Sequence, residues 1–326
     1  MFTAPEAWRP TVEEIWRRHG LGRPREIVAG YPGSNAVFTV DGALVVKIAW
    51  PFERSDYYRE LELLRVLEPY RGTLLTPHVL YDGVIEGTPD WPYFIMGALP
   101  GERLGEVWGR VPRQDRIAIA EHLGHITRAL HGVPLDGITT MQTSRTAWAQ
   151  FIEVQTAGCA EWYRQKGGLP AHLIAQVDTY LAGSVPLFPA DLQPVLLNGD
   201  ITADHELLSL VDGHWRITGF IDFGDALVGH SEYEFTCVHL CALARDWELT
   251  RIFLRAYGWD GVWHGPYDAA HFRRRMMVYC LLHPYFQFDA WIEEFGGPER
   301  VRSLEELEAR LWGHADLKGF LEPCRF

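Results

Sequence analysis

The chain has 326 residues, 47% of them hydrophobic and 22% charged, with a formal net charge of −13 at pH 7. That length supports two modest domains with sizeable cores, and the composition is that of a soluble globular protein. The acidic balance argues against a nucleic-acid partner, which asks for a basic surface, and no apolar run is long enough to cross a bilayer.

The N-terminal stretch MFTAPEAWRPTVEEIWRR lacks the basic-then-apolar pattern of a signal peptide, so a cytoplasmic protein is expected. Cys159, Cys237, Cys241, Cys280 and Cys324 are odd in number and scattered, and read as reduced buried thiols. Cys237 and Cys241 stand one helical turn apart, but no second pair completes a zinc site. Nothing in the sequence separates a monomer from a homodimer.

Val12 to His19 reads as a short amphipathic helix stopped by Gly20. From Arg25 to Trp50 the pattern is strand, loop, strand, turn, strand, with Asp41-Gly42 as the turn. The loop Gly30-Tyr31-Pro32-Gly33-Ser34-Asn35 suits a nucleotide phosphate, because glycines let backbone N–H groups approach closely. No G-K-[ST] follows, so it is not a Walker A motif. Lys47 lies inside the apolar run LVVKIA, where a charge needs a partner. The helix expected over Ser55 to Leu67 offers Glu60, whose E-x-x-x-L-x-x-L spacing turns apolar residues to the sheet, with Glu62 as the other candidate. Thr76 to Tyr81 and Trp91 to Met96 complete a five-stranded antiparallel sheet.

Arg113 to His131 carries an apolar stripe near period 3.6 and reads as a helix, as do Trp148 to Lys166 and Ala171 to Leu181. The stretch LLNGDITADHELLSLVDGHWRITGFIDF, Leu196 to Phe223, then places Asp200 and His205 after one buried run and Asp222 after another. Asp212-Gly213 turns the hairpin between them. This is the layout of kinase-type phosphoryl transfer: one Asp receives the proton of an attacking hydroxyl, a side chain after a spacer of four reaches a Mg²⁺ ion, and the Asp of D-F-G holds the Mg²⁺ that bridges the nucleotide phosphates. Phe235 to Leu243, Glu248 to Tyr257 and much of Tyr267 to Ala309 read as further helices.

The stretch resembles the aminoglycoside phosphotransferases, whose pattern is H-G-D-x-x-x-x-N followed by I-D-F/W. Asn198 stands at the usual His and His205 at the usual Asn. Imidazole is a weaker partner for hard Mg²⁺ than an amide oxygen. The substitution leaves three alternatives: weaker binding by His205, help from Asp204, or acceptance of Mn²⁺. The run Asp222 to Phe235 is also similar to the family's, with His230 in the place of an Asp. WPYFIM, LHGVPL, LLHPYFQFD and ARLWG resemble segments of the branch that phosphorylates hygromycin B.

The resemblance implies an α+β, bilobal, protein-kinase-like fold, with an antiparallel-sheet nucleotide lobe over 1–97 and a mainly helical catalytic and substrate lobe over 98–326. It implies ATP-dependent O-phosphorylation of an aminoglycoside, hygromycin B among the candidates, and so antibiotic resistance. GTP stays open as an alternative to ATP. Asp200 is then the catalytic base, and His205 and Asp222 are the Mg²⁺ ligands. Gly33, Ser34, Asn35, Lys47 and Glu60 serve the phosphates. Met96, Gly97, Ala98 and Leu99 hold the base through their backbone. Asp225, Glu232, Glu234, Asp289, Glu293 and Glu294 are the candidates for the substrate's ammonium groups. Two rivals remain: a small-molecule kinase for an amino alcohol, sugar or macrolide, and a non-catalytic nucleotide-binding protein.

Overall fold

The structure is a computed structural model that describes residues 4–52, 54–184, 192–259 and 269–313. Helix α1 (Pro5–Arg18) leads into strands β1 (Ile27–Ala29), β2 (Ala36–Val40) and β3 (Leu44–Ile48), helix α2 (Arg54–Val66), the short helix α3 (Arg71–Leu74), and strands β4 (Val79–Ile85) and β5 (Trp91–Gly97). Strand β6 (Glu102–Arg103) and helices α4 (Leu104–Val107), α5 (Arg113–His131), α6 (Arg145–Lys166), α7 (Ala171–Ile174) and α8 (Val177–Ala182) follow. Strands β7 (Val195–Leu197), β8 (Glu206–Val211), β9 (His214–Phe220) and β10 (Leu227–Gly229) precede helices α9 (Ser231–Cys237), α10 (Trp247–Tyr257), α11 (Ala269–Leu282), α12 (Asp289–Glu294) and α13 (Leu304–Trp312). Among the described residues no helix is long and apolar enough to cross a membrane.

The five-stranded sheet has the order β1-β2-β3-β5-β4, with every pairing antiparallel. Strand alternation sorts its two faces. Phe38, Val40, Val46 and Ile48 join Val12, Ile15 and Trp16 of α1 in one buried cluster. Val37, Thr39, Val45 and Lys47, one residue out of phase, line a cavity instead. Asp41 and Gly42 (φ 52° and 67°) and Asp212 and Gly213 (φ 51° and 79°) take the left-handed conformations that tight hairpins need.

Strand β4 starts at Val79 rather than Thr76; Pro77 has no N–H to give a ladder. The helix expected over Ala171 to Leu181 is two, α7 and α8. The helix expected from Phe235 begins at Ser231 and passes into a π-helical turn over Val238–Ala242. The helical stretch expected over Tyr267 to Ala309 consists of α11, α12 and α13; Tyr267 itself and Cys324 lie outside the described residues.

The chain divides into two compact units. The first comprises Met1–Asp115, Val133–Met141 and Asn198–Leu227. It therefore runs past Gly97 and takes back the hairpin that carries Asp200 and Asp222. The three-stranded sheet β6-β8-β9 explains this, since β6 pairs Arg103 with Leu207. The second unit comprises Arg116–Gly132, Gln142–Leu197 and Val228–Phe326. Its core contains Tyr163, Tyr233, Phe235, Phe253, Tyr279 and Trp312. Cys159, Cys237, Cys241 and Cys280 are free thiols, and burial pushes Cys159 up to about 12.

His230 and His239 are among the buried histidines of the second unit. His230 meets the Tyr279 hydroxyl at 2.6 Å, and His239 meets Thr250 Oγ1 at 2.8 Å. Desolvation, partly opposed by Glu232, lowers His230 to about 4. Desolvation, partly opposed by the Leu311 carbonyl, lowers His239 to about 3. Both fall below the unfolded value, so the unfolded chain binds more protons in between. Their stabilisation is complete above the unfolded value and is lost as the pH falls toward the folded ones. Denaturant unfolding at pH 5 should give a stability lower than at pH 7 by roughly 3–4 kcal/mol. Equal stabilities at the two pH values would contradict two neutral buried imidazoles.

Candidate functional site

The site is assembled wholly within the first unit. Lys47 and Glu60 are 7% and 3% exposed, and Lys47 Nζ lies 2.5 Å from Glu60 Oε2 and 3.2 Å from Asp222 Oδ1. Desolvation alone would lower the Lys47 pKa; Asp222 and Glu60 outweigh it and raise it, so the ammonium stays charged. Burial raises the Glu60 carboxyl against the pull of Lys47. Burial would also raise Asp222, but Lys47, then His205, and the Gly224 N–H hold it down at about 2. One cation therefore ties a strand, a helix and the D-F-G turn together.

Glu60 rather than Glu62 faces Lys47, because positions two apart on a helix point to different sides. Glu62 turns to the segment after α5. It accepts from Thr139 N and Thr140 N at 2.9 Å each and from both threonine hydroxyls. These bonds anchor the helix that carries Glu60. Glu62→Ala should cost about 1.5–3 kcal/mol of stability, the range for hydrogen bonds to a charged group, and weaken nucleotide binding several-fold by loosening α2. Nucleotide titration of a stably folded variant checks this; unchanged affinity would confine Glu62 to stability.

The loop before β8 is held by its own side chains. Asn198 is fully buried. Its Nδ2 donates to the Asp222 carbonyl at 2.7 Å, and its Oδ1 accepts from Asp200 N at 3.0 Å. One amide thus fixes both acidic positions. Gly199 has φ +84°, and a Cβ there would sit 2.4 Å from the Asp225 carbonyl oxygen, so only glycine fits. Asp222 is left-handed too, at φ 62°, a conformation tolerated by Asp better than by most residues.

His205 Nδ1 lies 2.8 Å from the Asp200 carbonyl oxygen and 3.4 Å from Asp200 Oδ2. Its Nε2 lies 3.9 Å from Asp222 Oδ2. Among the described residues no group of three or more His, Cys, Asp or Glu side chains is arranged to hold a metal ion. The protein can offer His205 and Asp222 as a pair of donors. Such a pair leaves the rest of a divalent cation's shell to phosphate oxygens and water.

A cavity of about 700 Å³ opens beside these groups. Gly33, Ser34, Asn35, Lys47, Met96, Gly97, Ala98, Leu99, His205 and Asp222 line it. Glu60 stands behind Lys47, outside the lining. Asn35 Oδ1 accepts from Trp50 N at 3.1 Å, which ties the glycine-containing loop to the end of β3. Tyr31, Arg103, Glu106 and Asp204 also line the cavity. Arg103 lies 3.7 Å from the centre of the Tyr31 ring and pairs with Glu106 and Asp204. No motif marks these residues: Arg103 and Glu106 are three apart, but the contacts of Arg103 with Tyr31 and Asp204 are made across distant segments.

The expected substrate carboxylates divide. Asp225 is half-buried and belongs to the first unit; Asp289 and Glu293 are exposed on α12 of the second. Glu294, also exposed, is taken by Arg245. Glu232 and Glu234 are fully buried in α9, whose seven residues are all buried. Arg275 closes on Glu232 at 2.7 and 2.9 Å, and His131 Nε2 lies 3.5 Å from Glu234. Both carboxylates are occupied inside the second unit and do not present a surface to an incoming ammonium. The expectation that they bind substrate is therefore corrected.

Known proteins with similar structures share this fold. The GDP complex of wild-type aminoglycoside 2'-phosphotransferase-IIIa superposes with a TM-score of 0.66 at 19% identity, covering 93% of this chain and 97% of that one. ADP-bound aminoglycoside phosphotransferase APH(2'')-Ib gives 0.61 at 20% identity, covering 91% and 98%. Aminoglycoside phosphotransferase APH(4)-Ia gives 0.61 at 17% identity, covering 94% and 99%. The family model described as APH, phosphotransferase enzyme family, matches residues 26–269. With the match spanning the glycine-containing loop, Lys47, Asp200 and Asp222, the chain belongs to the phosphotransferase enzyme family.

Proposed function

We propose that the protein is an ATP-dependent O-phosphotransferase for a hydroxyl of an aminoglycoside, with hygromycin B the first compound to test, acting in the cytoplasm and so conferring resistance. The observation that carries this reading is the Lys47 ammonium held by both Glu60 and Asp222 on the wall of a nucleotide-sized cavity. Phosphoryl transfer through a loose transition state needs little covalent chemistry; positioning and charge neutralisation supply the rate. Lys47 sets a fixed positive charge against the phosphates. Gly33, Ser34 and Asn35 offer backbone and side-chain donors, and Met96 to Leu99 offer backbone groups to the base. Asp200 orients the acceptor hydroxyl and takes its proton. A divalent cation held by His205 and Asp222 would neutralise phosphate charge.

Asp225, Asp289 and Glu293 are the carboxylates proposed for the substrate's ammonium groups. The solved relatives support the substrate class, since one is described as a kanamycin complex with GDP and another as a gentamicin complex. The loss of Glu232 and Glu234 from the acidic set favours one competing reading, a kinase for a less highly charged amino alcohol. An ATP-consumption screen over aminoglycosides, amino alcohols and neutral sugars, with mass spectrometry of the product, decides between them. Hygromycin B or another aminoglycoside gaining one phosphoryl group is the expected result. Turnover confined to neutral sugars, or absent with every acceptor, would remove the reading.

A further inference from the structure

His205 is where this site departs most from its family's usual pattern, and its surroundings fix which nitrogen is available. Nδ1 faces the Asp200 carbonyl oxygen at 2.8 Å, Asp200 Oδ2 at 3.4 Å and Thr202 Oγ1 at 3.4 Å. A carbonyl and a carboxylate can only accept, so Nδ1 carries the hydrogen. In the neutral ring that leaves the unshared pair on Nε2. Nε2 points toward Asp222 Oδ2, 3.9 Å away. The other oxygen of that carboxylate is engaged by Lys47 Nζ and Gly224 N, at 3.2 and 3.3 Å. Oδ2 and Nε2 therefore face each other as two electron-pair donors. Two neighbouring ligands of one octahedral ion with bonds of about 2.1 Å stand about 3.0 Å apart, so a shift of under about 1 Å brings the pair onto a single cation.

The donor set decides which cation. Imidazole nitrogen suits first-row transition ions and is a poor ligand for Mg²⁺, which prefers oxygen. We infer that His205 Nε2 and Asp222 Oδ2 together select a transition-metal cation of the Mn²⁺ and Co²⁺ class over Mg²⁺ as the ion that accompanies the nucleotide. The inference rests on the proposed nucleotide-dependent function, but it concerns the ion and not the acceptor. The bond from Nδ1 to the Asp200 carbonyl gives the ligand its orientation, as ring N–H partners do in metal-bound histidines. The same bond ties the ion's position to the residue that orients the acceptor.

The test uses the full-length protein, uniformly labelled with ¹⁵N, and an unlabelled, non-hydrolysable ATP analogue with Mn²⁺. Pulsed electron paramagnetic resonance should show a ¹⁵N nucleus bound directly to Mn²⁺, and the signal should vanish in His205→Asn. Affinity for the analogue should be at least about tenfold higher with Mn²⁺ than with Mg²⁺, and His205→Asn should collapse that ratio. Mn²⁺-analogue binding without ¹⁵N coupling, or a ratio unchanged in the variant, overturns the inference and leaves the phosphotransferase reading standing. A protein that binds the analogue with neither ion overturns both.

Discussion

Asp200→Asn should reduce kcat by a factor on the order of 10²–10⁴, the range for loss of a positioned general base, with the fold and the nucleotide affinity retained. The substitution keeps the side chain's shape while removing its charge and its capacity to take a proton. The surrounding loop should hold, because its bonds at 3.0 and 2.8 Å are made by the backbone of Asp200. Asn198 Oδ1 accepts from Asp200 N, and His205 Nδ1 bonds to the Asp200 carbonyl oxygen. Lys47, Glu60 and Asp222 keep their contacts with one another, so the phosphate-facing groups are unaffected. A drop in kcat with an unchanged dissociation constant for the nucleotide is therefore the expected signature. It identifies an interaction made in the transition state rather than in the ground state. A kcat within threefold of the parent's would remove Asp200 from the chemistry.

What could be read in advance follows from how local each signal is. The five-stranded sheet was legible because strand alternation and the Asp-Gly turns are written within a few residues of each other. Lys47 was legible because a charge in an apolar run calls for a partner, although Glu60 and Glu62 could be ranked only by helical phase. The structure shows that Glu62 has its own partner, the Thr139-Thr140 segment, which no local pattern announces. Helix α9 was misread for a different reason. Every residue of SEYEFTC is buried, so there is no polar face to set a period, and its two glutamates looked available to a ligand. Their partners, Arg275 and His131, are remote in sequence. The Tyr31–Arg103 stack was equally invisible, since it depends on which loops the sheets bring together.

Lys47→Met should destabilise the protein by about 3–5 kcal/mol, the usual cost of leaving one member of a buried ion pair without its partner. Glu60 is 3% exposed, and Lys47 supplies its ion pair. Removing the ammonium leaves a carboxylate in a medium that disfavours charge, and Glu60 must then bind a proton or unfold its surroundings. Its pKa is already raised by burial and should rise further without Lys47. A folded pKa above the unfolded one means that the folded variant binds the extra proton. The penalty should therefore shrink on acidification from pH 7 toward pH 5, opposite in sign to the trend expected from His230 and His239. Comparing parent and variant at each pH cancels the histidine contribution and isolates Glu60. Adding Glu60→Leu to Lys47→Met replaces the stranded charge with an apolar side chain of comparable size. It should recover most of the lost stability and flatten the pH dependence of the difference, while phosphotransfer stays lost because the phosphates still lack their cation. A double variant as unstable as the single one would show that Lys47 stabilises the fold mainly through Asp222, and one that regained activity would take Lys47 out of the phosphate site altogether.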